Sequence, residues 1–250
     1  MSGRPLVLLA PSEDKAPGGR TGTLPEDAAQ RWVRERLADL VVHGSAEALR
    51  RAFEVKEAAL EKARAEALAL RHPVPLRPAL ERYTGVAFQA LDPATLDRSL
   101  WRQVFVLSTL RGLVRGDESV PPYKLKLAGL AGLKAHWQRH LLPRLEALPE
   151  GPVWELLPQD GASLLKGWAR PRHTVAVVDP QGRAITHWSK LYRGRVARWI
   201  LEHGQGAPAQ VRRGRLEGAA WAGLEDNATG GKLLTLVVTD PPFVKPGGRP

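Results

Sequence analysis

The sequence predicts a mixed α/β (α+β) fold in one compact domain, a mixed sheet flanked by helices. Three observations carry this. Apolar runs rich in Leu and Val at 6–9, 104–107, 153–157, 174–178 and 233–238 have the length of buried strands. Between them lie longer stretches whose apolar residues recur at helical spacing. The chain has 250 residues, 43% apolar and 25% charged, which suits a domain with a real core.

The first strand, 6–9, is stopped by Pro11, so Ser12, Glu13 and Lys15 fall at its carboxyl end. Residues 16–22, with three glycines and a proline, read as a mobile loop. Thr23-x-x-Glu26 forms a capping box ahead of Trp32, Val33, Leu37, Leu40 and Val41, which predicts a helix over 25–42 ended by Gly44. Ser45 caps a second helical region to about residue 71, with Leu49, Phe53, Leu60 and Leu68 as inward positions. Pro73, Pro75 and Pro78 break the helices, and Asp92-Pro93 reads as the cap and first turn of another. Residues 108–115 form a transition out of the second strand. A helix over 133–148 runs through Pro143, which should kink or divide it. Asp179-Pro180-Gln181-Gly182 is a turn leading to a strand over 184–188, and a last helix spans 190–203. The domain spans 1–240, and the Pro/Gly-rich tail from 241 to 250 is expected to be frayed.

Composition narrows the function. There is no cysteine, which excludes a disulfide scaffold, thiolate metal sites and thiol catalysis. The apolar run at 6–10 is shorter than the about 7–15 residues of a secretory leader or the about 18 of a membrane span. The expectation is a cytoplasmic chain with no membrane contact. Lys and Arg number 37 against 26 Asp and Glu, a net charge of +11 that favours a polyanionic partner. The excess is local. Residues 26–66 carry eight basic and nine acidic side chains, whereas 183–215 carry Arg183, Lys190, Arg193, Arg195, Arg198, Arg212, Arg213 and Arg215 against Glu202 alone.

On a helix, Lys190 with Arg193 and Arg195 with Arg198 share faces, so their charges can follow a phosphate backbone. Trp188 and Trp199 are the candidate stacking residues beside them. The segment 127–135 sets Gly129 and Gly132 between apolar residues, with Lys134 at the start of a helix. A hairpin there can turn backbone N–H groups toward phosphate. It is near the helix-hairpin-helix pattern but has one extra residue between the glycines. His136 and His140 are four apart without an intervening Glu, so no metal site is assigned, and no cofactor is implied.

Several ordered segments resemble the peroxide stress protein YaaA family. They are Pro11-Ser12-Glu13-Asp14-Lys15, Arg82-Tyr83-Thr84-Gly85, the segment 108–123 with Gly112, Leu113, Arg115, Pro122 and Tyr123, and His187-Trp188-Ser189-Lys190 leading to Arg193-Gly194. The chain departs from the family pattern at Arg111, Gly116, Lys124 and Ser163, and is similar to a divergent member. The resemblance implies the family's own fold, sometimes called a cantaloupe fold, with a helix-hairpin-helix element and a positively charged cleft. It further implies DNA binding in the peroxide response, limiting unincorporated iron and oxidative damage to DNA.

The leading expectation is therefore a non-enzymatic protein that holds double-stranded DNA or another polyanion through Lys134, Lys190, Arg193, Arg195, Arg198, Arg212, Arg213 and Arg215, with no obligate protein partner. A second is an enzyme acting on a nucleotide, base or nucleic acid, with a polar pocket of Ser12, Glu13, Lys15, Tyr83, Ser108, Arg115, Tyr123 and Lys190. A third keeps the basic surface and exchanges DNA for RNA or an acidic protein. The second requires those side chains to converge.

Overall fold

The computed structural model describes residues 3–204 and 206–240, without the His187 side chain. The tail expected over 241–250 lies outside the described residues. In chain order the elements begin with β1 (Leu6–Leu9), β2 (Arg20–Gly22), α1 (Ala28–His43), α2 (Ala46–Phe53), α3 (Glu57–Ala69), β3 (Val74–Pro78), α4 (Ala79–Arg82) and α5 (Val86–Leu91). There follow β4 (Val104–Ser108), β5 (Gly112–Arg115), β6 (Ser119–Val120), α6 (Leu133–Glu146), β7 (Val153–Leu156) and α7 (Gln159–Ala162). The chain closes with β8 (Arg172–Val178), α8 (Thr186–His203), α9 (Pro208–Val211), β9 (Ala219–Asp226) and β10 (Lys232–Val238).

Seven strands form one mixed sheet in the order β5-β4-β1-β7-β8-β10-β9. The inner five are parallel, and β5 and β9 close the edges antiparallel. All four residues of β1 and all five of β4 are buried, as strands covered on both faces must be. From β1 the chain adds β4 on one side and β7 on the other. The strand order thus reverses at β1, and the crevice outside the carboxyl ends of β4, β1 and β7 is where open α/β sheets hold ligands. Register sets Leu9 beside Val106 and Leu156, so the segments after Leu9, Ser108 and Leu156 open onto one edge.

Several boundaries differ from expectation for identifiable reasons. The capping box of α1 is Asp27 with Gln30, not Thr23 with Glu26: the Gln30 N–H donates to Asp27 Oδ1 at 2.9 Å and the Asp27 N–H to Gln30 Oε1 at 3.1 Å. Glu26 is instead held by Arg34. The helical region after Ser45 is two helices, divided at Glu54, whose φ is +47°. Leu68 is exposed, and Ala63 and Ala67 take the inward positions. Asp92 ends α5 in the left-handed conformation rather than starting a helix; a 3-10 turn follows at Arg98–Gln103. Helix α6 runs through Pro143 undivided. No strand spans 184–188: only a single bridge joins Val178 to Ala184, and α8 begins at Thr186.

Part of the expected mobile loop is β2, which pairs with β3, and β3 with β6, in a separate small sheet. Arg82 fastens this sheet to the rest. Its side chain is fully buried and donates to the carbonyls of Val120 at 3.0 Å, Gly18 at 2.9 Å and Pro75 at 2.9 Å, and to that of Ala16. Burial, with Arg77 nearby, lowers its pKa to about 10, so it stays charged. Hydrogen bonds from a charged donor are each worth about 1.5–3 kcal/mol. Arg82→Met is therefore expected to cost at least about 3 kcal/mol in urea unfolding and to speed amide exchange across residues 16–22.

Candidate functional site

The cleft at the carboxyl edge is built around residues 10–15. The Thr84 N–H donates to the Asp14 carbonyl at 3.1 Å, the Ala16 N–H to the Arg82 carbonyl at 2.8 Å, and Lys15 bridges to Tyr83 as an isolated β pair. A Cβ on Gly85 would lie 2.3 Å from Ser12 Oγ, so glycine alone lets the two segments close together. Arg82-Tyr83-Thr84-Gly85 thus clamps Pro11-Ser12-Glu13-Asp14-Lys15.

On one side of residues 10–13 is a cavity of about 280 Å³ bounded by Ser12, Gly85, Thr186, Ser189, Lys190 and Arg193. On the other is one of about 220 Å³ bounded by Lys15, Thr109, Tyr123, Lys124, Lys126 and Asp160, with Phe53, Leu107, Leu125 and Leu164 as its apolar wall. The two share Ala10 to Glu13 and Pro158.

Lys15 Nζ donates to the Ser12 carbonyl at 2.8 Å and lies 4.1 Å from the Tyr123 ring centroid and 5.4 Å from that of Tyr83. It has no carboxylate within ion-pair distance among the described residues. Burial, then Lys124, lowers its pKa to about 7 against the opposing pull of Glu66, Glu13 and Asp14. Behind it the buried hydroxyls of Tyr83, Tyr123 and Ser108 form a chain, 3.0 Å and 2.9 Å apart, ended by the Arg111 N–H donating to Ser108 Oγ at 3.1 Å. Burial raises the Tyr83 pKa well above the usual phenol value, so its hydroxyl remains protonated. Glu13 bonds Lys126, which lowers its carboxyl pKa; Lys126 also pairs with Glu54. Lys124 Nζ donates to the Glu13 carbonyl at 2.6 Å.

The structure thus brings together Ser12, Glu13, Lys15, Tyr83, Ser108, Tyr123 and Lys190. It does not bring Arg115, which lies on edge strand β5, paired with Asp117 and with its backbone N–H bonded to Glu118. Of the expected backbone contacts, Lys190 and Arg193 face the cleft, and burial lowers the Arg193 pKa. Arg195 is paired with Glu217 at 2.9 Å, and Arg198 with Glu202 at 2.6 Å. Arg198 also donates to the Leu91 and Asp92 carbonyls, tying α8 to the end of α5.

Arg212, Arg213 and Arg215 are exposed on the turn after α9, where Gly214 packs on the Trp199 ring beside the carboxyl-terminal half of α8. Lys134 is exposed in the first turn of α6. A 3-10 turn at Leu127–Gly129, rather than an α-helix, leads into this hairpin. The Gly129 N–H is spent on the Lys126 carbonyl, and a Cβ there would meet the Ala52 backbone at 2.7 Å. Trp188 and Trp199 pack partly buried against the core, Trp199 stacked on His203 at 4.2 Å.

Lys124, Lys126, Thr186 and Ser189 also line the cleft and are not among the residues expected from the sequence. The alternation Lys124-Leu125-Lys126-Leu127 was the available signal for the lysines, since a period of two sets them on one face. His136 stacks on Trp32 at 4.1 Å and bonds the Ala29 carbonyl, which accounts for it without a metal. Among the described residues no group of three or more His, Asp or Glu could hold a metal ion, and no helix is long and apolar enough to cross a membrane.

Fold and site together define an open α/β protein with a cleft at the strand-order reversal, lined by Lys15, Lys124, Lys126, Lys190 and Arg193 with Glu13, Asp14 and Asp160. A family model described as peroxide stress protein YaaA matches residues 6–222, and the chain belongs to that family. It is 34% identical to a UPF0246 protein of Streptomyces coelicolor over 226 residues, covering 80% of this chain and 84% of that one. It is 29% identical to a UPF0246 protein of Corynebacterium efficiens over 255 residues, covering 93% of this chain and all of the relative.

The state of Lys15 is open to measurement. The unfolded chain holds its proton up to about pH 10.5 and the folded chain only to about pH 7. Between these values unfolding takes up a proton, so Lys15 makes stability rise with pH; below about pH 7 its penalty is fully present. Urea midpoints of wild type relative to Lys15→Met are expected to climb from neutral pH toward pH 10. A constant difference would show an ordinary lysine.

Proposed function

We propose that this chain is a DNA-binding protein of the bacterial peroxide stress response, which holds the phosphate backbone at the carboxyl-edge cleft and limits iron-dependent damage to the DNA it covers. One observation carries the reading: Lys190 and Arg193 face the cleft and neither has an acid within ion-pair distance among the described residues, whereas Arg195 and Arg198 are both neutralised. A partly desolvated guanidinium without a counterion is stabilised by an arriving phosphate. Lys124, Lys134, Arg212, Arg213 and Arg215 extend the field, which steers a polyanion without reading its bases. Membership of the peroxide stress family supports the physiological setting.

A second reading, an enzyme acting on a nucleotide, base or nucleic acid, is favoured by the convergence of Lys15, Tyr83, Ser108 and Tyr123 beside the same cleft. The two readings are compatible, since one site can hold a backbone and act on a group attached to it.

Fluorescence anisotropy of a labelled duplex across a salt series tests the first. Each phosphate contact contributes about 0.9 to the slope of log affinity against log salt. Lys190→Ala with Arg193→Ala is expected to flatten that slope by roughly 2. Arg195→Ala with Arg198→Ala should leave the slope unchanged and lower the urea midpoint instead. An unaltered slope in the first pair, or no binding at low salt, would remove the cleft as the contact surface.

A further inference from the structure

We propose that Lys15 is a nucleophilic amine that forms a reversible imine with the aldehyde of an open-chain sugar phosphate, whether that sugar is an abasic nucleotide within DNA or a free monomer. This deepens the enzymatic reading of the site and rests on it. Its DNA source rests in addition on backbone binding.

Three features of the geometry converge on it. First, Lys15 is not engaged as a structural cation: its Nζ meets a backbone carbonyl at 2.8 Å and the faces of two tyrosines, with no carboxylate in ion-pair range among the described residues. A lysine held to neutralise an acid would look different, and Lys126, locked between Glu13 and Glu54 on the wall of the same cavity, supplies the contrast. Second, the cavity that Lys15 lines is walled by Phe53, Leu107, Leu125 and Leu164. An apolar wall disfavours the ammonium form and slows the return of water to an imine. The lowered pKa of about 7 agrees, with Lys124 adding like-charge repulsion to burial and Glu66, Glu13 and Asp14 opposing it.

Third, the cavity across residues 10–13 presents Lys190 and Arg193 with the hydroxyls of Ser12, Ser189 and Thr186, a donor set suited to a phosphate, and of the two acids that also line it, Glu13 and Asp14, Glu13 is already paired with Lys126. The two cavities share the wall made by Ala10 to Glu13. A ligand seated across that wall would carry a phosphate at one end and an electrophilic carbon at the other. A sugar phosphate with a free aldehyde has both.

In the step itself the Nζ lone pair attacks the aldehyde carbon, forming the C–N bond as the carbonyl π pair moves to oxygen. One amine proton passes to that oxygen, giving a carbinolamine. Loss of the hydroxyl with the second amine proton, as water, breaks the C–O bond and leaves C=N. No oxidant or reductant is consumed, and hydrolysis reverses the sequence.

Reductive trapping tests this with the full-length wild-type chain. It is incubated near neutral pH with sodium cyanoborohydride and either a duplex bearing one abasic site or 2-deoxyribose 5-phosphate alone, and the adduct is mapped by peptide mass. The expected result is a stable adduct at Lys15, at least about tenfold more abundant than at any other lysine and absent in Lys15→Arg. Because the wild-type map carries the answer, it holds even where the variant is unstable.

Trapping of Lys15 by the abasic duplex supports the DNA source. Trapping by the sugar phosphate alone supports the imine with a monomeric aldose and removes DNA as its substrate. Adducts spread over Lys124, Lys126 and Lys190 without preference for Lys15, or no adduct with either probe, overturn the proposal. The anisotropy series reads backbone binding without any covalent step, so the two failures are told apart.

Discussion

The arrangement depends on one buried cation. Arg82 has no exposed surface, and it spends its guanidinium on carbonyls of Ala16, Gly18, Pro75 and Val120. Those four acceptors come from three separate stretches of chain, residues 16–18, Pro75 and Val120, which otherwise touch through the short pairings of the small sheet. Desolvating a charge is costly, and the cost is offset only while every donor has its acceptor. The constraint therefore works as a latch: the segments are held together or the charge is stranded. Its neighbour in sequence, Tyr83, is thereby fixed beside Lys15, and the next residues fix Asp14 and Ser12. A structural residue and a site residue, adjacent in the chain, do different work.

The same division runs through the basic stretch. Charge counted along residues 183–215 looks uniform, but the fold sorts it. Arg195 and Arg198 hold α8 against Glu217, Asp92 and the end of α5, while Lys190 and Arg193, one turn earlier, face the cleft. Net charge attracts a polyanion from a distance, and only the unneutralised groups at the cleft can hold it in register. Lys15 belongs to neither class, since burial is the largest influence on it and no carboxylate lies within ion-pair distance among the described residues.

What the sequence could reveal follows the same physics. Strands β1, β4, β7, β8 and β10 were legible because a strand inside a parallel sheet must be apolar along its length. Strands β2, β3 and β6 were not: Pro75 and Pro78 argue against a strand, and pairing with distant partners overrides that local preference. Residues 184–188 carry Ile and Trp, a strand-like composition, yet packing against α5 makes most of them helix. Asp92-Pro93 has the composition of a cap before a helix, yet Asp92 serves as the left-handed residue after one, a conformation that Asp tolerates. At the site, the position of Ser12, Glu13 and Lys15 followed from the strand before them. The meeting of Tyr83, Ser108 and Tyr123 did not, because it is made by tertiary structure and only the family resemblance hinted at it. Nothing local could show that Arg195 has a partner at Glu217 or that Arg115 turns away to Asp117.

Hydrogen–deuterium exchange of the chain with and without duplex DNA would show whether the cleft at the carboxyl edge of the sheet is the surface that meets nucleic acid. Binding at the cleft should slow exchange mainly in residues 11–15, 84–88 and 186–193. Slowed exchange confined to the charge-balanced helices at 28–69, with the cleft unchanged, would contradict it.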